Sequence, residues 1–114
     1  MGSPITTHIL DTALGRPAQN VPIHIEILED SGEYRQIGSG LTNSDGRVAN
    51  LLPEGSLKRG TYRIRFDTNS YFATQETNSF YPYVDVVFQI TATDEHYHVP
   101  LLLNPYGYST YRGS

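Results

Sequence analysis

Four histidines, at positions 8, 24, 96 and 98, are the side chains of this chain that change charge near neutral pH. There is no cysteine, so neither a thiolate nucleophile nor a thiolate metal ligand exists. What the imidazoles can do depends on which of them face together, and strand alternation answers that. Along Ile5–Asp11, Thr6, His8 and Leu10 share one face, and Ile5, Thr7 and Ile9 share the other. Along residues 96–103, Tyr97, Val99, Leu101 and Leu103 form the apolar set, with His96, His98, Pro100 and Leu102 opposite. His8 and His98 thus each stand opposite a core-facing set. If the two strands share a sheet, both imidazoles emerge on its outer face.

Other readings of the same residues stand beside this one. A lone histidine on a solvated strand face is usually a surface residue, and His24 is read so. His96 and His98, two apart on one face, have metal-ligand spacing, but zinc would want a third protein ligand. No metal or other cofactor is therefore expected. Arg47, directly after a turn, would by itself be an ordinary exposed arginine, and Ser114 a frayed end. No nucleophile elbow, phosphate-binding loop, His-Glu-x-x-His or dinucleotide fingerprint occurs.

The elements that must position these residues are short. Residues 21–29 put Ile23, Ile25 and Ile27 on one face and His24 and Glu26 on the other. Residues 34–42 form a third run, closed by the tight turn Asn43-Ser44-Asp45-Gly46. Residues 60–67 turn Tyr62, Ile64 and Phe66 inward and Arg63 and Arg65 outward. A short helix is expected over 70–77, and strands over 82–91, 96–103 and 107–112. Residues 14–17 read as a turn. Seven or eight short strands with one brief helix predict an all-β sandwich, in a chain whose 114 residues suit one domain, 1–114. The net charge of −4 offers no basic stripe for nucleic acid, and no apolar run is long enough to span a bilayer. The first residues lack a signal-peptide pattern, so a cytoplasmic location is expected, or a peroxisomal or periplasmic one if a targeting segment was removed. Pattern alone stops at a soluble β-sandwich with a few histidines on one face.

Four spaced motifs go further. His8-Ile9-Leu10-Asp11, Gly15-Arg16-Pro17-Ala18 and Val21-Pro22-Ile23 resemble the amino-terminal signature of the transthyretin-like family. Thr42-Asn43-Ser44-Asp45-Gly46-Arg47 resembles the central turn of its hydrolase branch, and Ser79-Phe80-Tyr81-Pro82-Tyr83-Val84 the segment after its short helix. Residues 96–114 resemble its carboxy-terminal signature, ending in the Tyr111-Arg112-Gly113-Ser114 of the hydrolases. The family's hormone-carrying transthyretins place lysine, an acidic residue and threonine where His8, Arg47 and His98 stand here, and they lack that ending.

The resemblance implies a transthyretin-like sandwich that assembles as a homotetramer, a dimer of dimers. It implies a small-molecule substrate, 5-hydroxyisourate, whose six-membered ring is opened by water to a ureido-imidazoline carboxylate in urate degradation. The runner-up is a transthyretin-type carrier of a small aromatic ligand. An activated cyclic amide can be attacked by water directly, given a base, donors for the oxyanion and a clamp for a planar ring. On this resemblance the two imidazoles share the proton work, with His98 favoured as general base and His8 orienting the water or protonating the leaving nitrogen, and the sequence leaves open which does which. Arg47 supplies a planar fork of donors to carbonyl or oxyanion. Tyr111 and Ser114 close the pocket, and Arg112 positions the tail.

Overall fold

The alternation expected at the start of the chain becomes β1 (Ile5–Asp11), with odd-numbered residues buried and even-numbered ones half-buried. A computed structural model describes residues 2–114. After β1 come β2 (Arg16–Pro17), β3 (Pro22–Leu28), β4 (Tyr34–Leu41), β5 (Gly60–Phe66), α1 (Thr68–Thr74), β6 (Val84–Ile90), β7 (Tyr97–Asn104) and β8 (Gly107–Thr110). They form two four-stranded sheets, in the orders β2-β1-β7-β8 and β4-β3-β5-β6. This is the all-β sandwich with one short helix that the sequence predicts. No helix among the described residues is long and apolar enough to cross a membrane.

The core lies between the sheets. Ile5, Ile9 and Leu101 meet it from one side, and Ile25, Ile64 and Phe66 from the other, all fully buried. Burial of each such side chain stabilises the fold by about 1.5–3 kcal/mol. The first sheet is held at its centre by a parallel pairing of β1 with β7, in which Thr6 lies opposite His98 and His8 opposite Pro100. The shared sheet on which the histidine reading depended therefore exists.

Three local expectations are corrected. Residues 16 and 17, read as turn, pair with Leu10 and Asp11 as a two-residue edge strand. The helix starts at Thr68, two residues earlier than expected, because Asp67 serves as its N-cap and accepts the Ser70 N–H at 3.2 Å. The last strand stops at Thr110 instead of 112. Its pairing with β7 would next place Tyr111 opposite Pro100, and proline has no N–H to give to that rung. The ladder resumes once, in the same register, where the Gly113 N–H donates to the His98 carbonyl at 2.8 Å.

Helix α1 is tied to β1 through a buried carboxylate. The Tyr71 hydroxyl donates to Asp11 Oδ2 at 2.6 Å, and Oδ1 accepts the N–H groups of Ala13 and Leu14. Burial, with that bond to Asp11, pushes the Tyr71 hydroxyl up to about 12.

Candidate active site

Arg47 reaches the β1 face because of the turn before it. Asn43 organises that turn: its side-chain oxygen accepts the N–H groups of Asp45 and Arg47, and its own N–H bonds the Arg47 carbonyl at 2.8 Å. Gly46 then lies flat against β1, its carbonyl accepting the Ile9 N–H at 2.9 Å, with a φ of 75°. A Cβ at Gly46 would collide with the Ile9 carbonyl oxygen and press on the His8 ring. Only glycine satisfies both the dihedral and the close approach. The result is a backbone bridge between His8 and Arg47, which brings an exposed guanidinium beside the first imidazole.

His98 enters from β7. Thr6, not His8, is its direct neighbour across the pair, so the two imidazoles are diagonal on one face. Strand spacing and rise put their Cα atoms about 8 Å apart. The His98 ring is half-buried, and burial is the largest reason that its pKa is lowered. Positive charge from Arg47, His8 and His96 adds to the depression. The neutral imidazole, which can accept a proton, is therefore favoured. Among the described residues Arg47 forms no ion pair with a carboxylate, so its charge is free to meet an anion.

The carboxy-terminal residues arrive by the resumed ladder. Gly113 packs on the His98 ring so closely that a Cβ there would come within 2.6 Å of its Cδ2. Ser114, the next residue, is exposed beside it. Tyr111 is 58% exposed and lies beyond the regular strand, so strand alternation does not set its direction. Arg112 pairs with Glu95 at 2.9 Å and stacks over the Tyr97 ring, which anchors the tail. A cleft of about 270 Å³ runs beside the tail, lined by Val86, Phe88, His98, Tyr111 and Arg112 among others, but takes in neither His8 nor Arg47. On one chain the face that carries the cations is open.

Three residues that sequence reasoning did not single out complete the arrangement. Thr6 Oγ1 lies 2.8 Å from His98 Nδ1 and 2.8 Å from His96 Nε2. Gly46 and Gly113 give the backbone its approach to each imidazole. Alternation did place Thr6 on the face of His8, but only the register of β1 against β7 sets it opposite His98. His24 lies on the outer face of the other sheet, 3.6 Å from Glu26 and away from this group.

A sequence model described as the HIUase/Transthyretin family matches residues 5–113. The chain is 48% identical over 113 residues to a 5-hydroxyisourate hydrolase of Mus musculus, covering 98% of this chain and 96% of the relative. It is 46% identical over 110 residues to a 5-hydroxyisourate hydrolase of Salmonella dublin, covering 96% of this chain and 80% of the relative. Among solved structures it resembles sea bream transthyretin in complex with thyroxine, with a TM-score of 0.91 and 33% identity over 96% of this chain and 94% of that one. It also resembles Klebsiella pneumoniae 5-hydroxyisourate hydrolase, with a TM-score of 0.84 and 33% identity over 96% and 97%.

Proposed function

The chain belongs to the HIUase/Transthyretin family, and from that premise we propose the following reading of its site and assembly. The protein is a hydrolase that opens the ring of 5-hydroxyisourate with water, the activity named for its curated relatives. Fold similarity does not discriminate between enzyme and carrier, since a transthyretin and a hydrolase match the same architecture. The observation that carries the choice is the face itself, where His8, His98 and the unpaired Arg47 stand together.

In this reading the substrate lies across the β1–β7 face with a carbonyl toward Arg47. Neutral His98 takes a proton from the attacking water, and its lowered pKa keeps it in the accepting form at neutral pH. The Arg47 guanidinium balances the negative charge that develops on the carbonyl oxygen. His8 orients the water, and the proton held by His98 passes on to the leaving ring nitrogen, directly or through His8. Tyr111 and Ser114 border the substrate from the tail. No covalent intermediate is required, because the cyclic amide is already activated toward water.

The assembly in this reading is a homotetramer, a dimer of dimers, and its copies would wall in the open face. The support is apolar surface beyond what a solvated sheet needs. Leu10 and Leu102 are half-buried on that face, and Tyr111 is exposed in the tail beside it. Val87 is 56% exposed on the free edge of β6. Light scattering at working concentration should give the mass of four chains, and an active monomer would overturn the assembly.

The activity is tested by the ultraviolet absorbance of freshly generated 5-hydroxyisourate, which should decay faster with the protein than without it. Unchanged decay, with tight binding of a small aromatic ligand, would move the protein to the carrier reading.

A further inference from the structure

The contact left unexplained by these roles is the one Thr6 makes with two imidazoles at once. Its Oγ1 is 2.8 Å from His98 Nδ1 and 2.8 Å from His96 Nε2. A hydroxyl carries one proton, and neutral imidazole offers one donor and one acceptor. Where the hydroxyl gives its proton to one of the two rings, there are two arrangements. In the first, the Thr6 hydroxyl donates to His96 Nε2 and accepts from the His98 Nδ1–H. The Nε2 of His98 then carries a lone pair. In the second, Thr6 accepts from a His96 Nε2–H and donates to His98 Nδ1. The His98 proton then sits on Nε2, and the ring cannot act as a base there.

We propose that Thr6 and His96 are positioning residues that fix the tautomer of His98: neutral His96 engages the Thr6 hydroxyl proton, and Thr6 Oγ1 in turn holds the Nδ1–H of His98. This inference rests on the reading of His98 as the base. It follows from the rule that the hydrogen bond made by one ring nitrogen decides which nitrogen is protonated. Thr6 is suited to the task because the parallel register locks it opposite His98 on the neighbouring strand. Gly113, packed on Cδ2 from the tail, limits rotation of the His98 ring away from the hydroxyl.

His96 differs from His98 in being exposed to solvent. The groups facing His98 are Thr6 and His8 from β1, Arg47 from the turn, His96 from its own strand and Gly113 from the tail. All the ionisable members of that set are cations when charged. Acid should therefore silence the site by protonating His98.

The test reads the tautomer and the rate separately. Nitrogen-15 resonances of the histidine rings should show His98 as the Nδ1–H form in the unaltered protein near neutral pH. Thr6→Val should abolish that preference and lower kcat by at least about tenfold, because a histidine in the wrong tautomer loses most of its value as a base. KM should change little. Thr6→Ser should restore both tautomer and kcat. His96→Ala should move His98 toward the Nε2–H form and lower kcat, while leaving the fold intact at an exposed position. A His98 that is mainly Nε2–H in the unaltered protein would overturn the inference, as would Thr6→Val with unaltered tautomer and kcat. If the unaltered protein does not hydrolyse 5-hydroxyisourate, the proposed function fails, and the tautomer spectrum still decides the hydrogen-bond arrangement by itself.

Discussion

The two sheets carry outer faces made of similar residues put to opposite use. On the β4-β3-β5-β6 sheet both arginines of β5 have a carboxylate and a ring. Arg63 Nε bonds Glu26 Oε1 at 2.6 Å, and its guanidinium lies 3.9 Å from the centre of the Tyr34 ring. Arg65 holds Asp85 through two bonds of 2.7 Å and lies 3.9 Å over Tyr83. The bonded arginines hold both carboxyls below the usual carboxylate range. On the β2-β1-β7-β8 sheet, Arg47 and three imidazoles gather, and among the described residues no carboxylate forms an ion pair with them. Matched charges on the first of these faces fasten strands. Unmatched ones on the other cost stability and are left for a ligand to match.

The largest expected effect that tests this contrast is loss of an imidazole. His98→Ala or His8→Ala should lower turnover by at least about a hundredfold, the scale of losing an acid or base group, with far-UV dichroism unchanged. Near-normal turnover in both folded variants would erase the distinction between the faces. Next is the tail. Deleting Arg112, Gly113 and Ser114 frees the His98 ring and should cut turnover at least about tenfold through misplacement. The core strands end before it, so the melting temperature should hardly move. A full-length rate in the truncated form would return the tail to an ordinary chain end.

A smaller effect concerns acid. Arg47→Gln removes a charge that depresses His98, so the His98 pKa should rise toward its ordinary value. The acid limb of kcat/KM should then move to higher pH, besides any loss of rate. A limb that stays put or moves down would show that Arg47 does not act on His98 electrostatically. Smallest is Glu26→Gln on the paired face, which should lower stability by about 1 kcal/mol and leave kcat unaltered. Glu26 and Asp85 have folded pKa values below their unfolded ones. Their contribution is present above the ordinary carboxylate range, about pH 4, and is lost as pH falls through the folded values. The two faces should thus respond in separate windows, activity near neutrality and stability in stronger acid. Denaturant titrations and pH–rate profiles on the same samples would show whether the windows coincide.

Most of the strand content was legible because the apolar residues alternate. The inward set Tyr62, Ile64 and Phe66 and the outward Arg63 and Arg65 stand as periodicity assigns them. The start of α1 was misread because Asp67 looked like the end of a strand, whereas its side chain caps a helix. The end of β8 was misread because the missing N–H belongs to Pro100, on another strand. Of the site, the shared face of His8 and His98 was legible, while the contact partners of each were not.

By itself the sequence determined which face each imidazole takes, since side-chain direction follows from a period of two within one strand. It also determined where the turn before Arg47 falls, through Asn43 and Gly46 acting within five residues. Only the tertiary structure decided that Thr6 meets His98, that Gly46 brings Arg47 to His8, and that Gly113 packs on the second ring. Those contacts span about 15 to 90 residues, and they depend on register between strands. Register is chosen by how whole faces pack against one another, and no local pattern carries it.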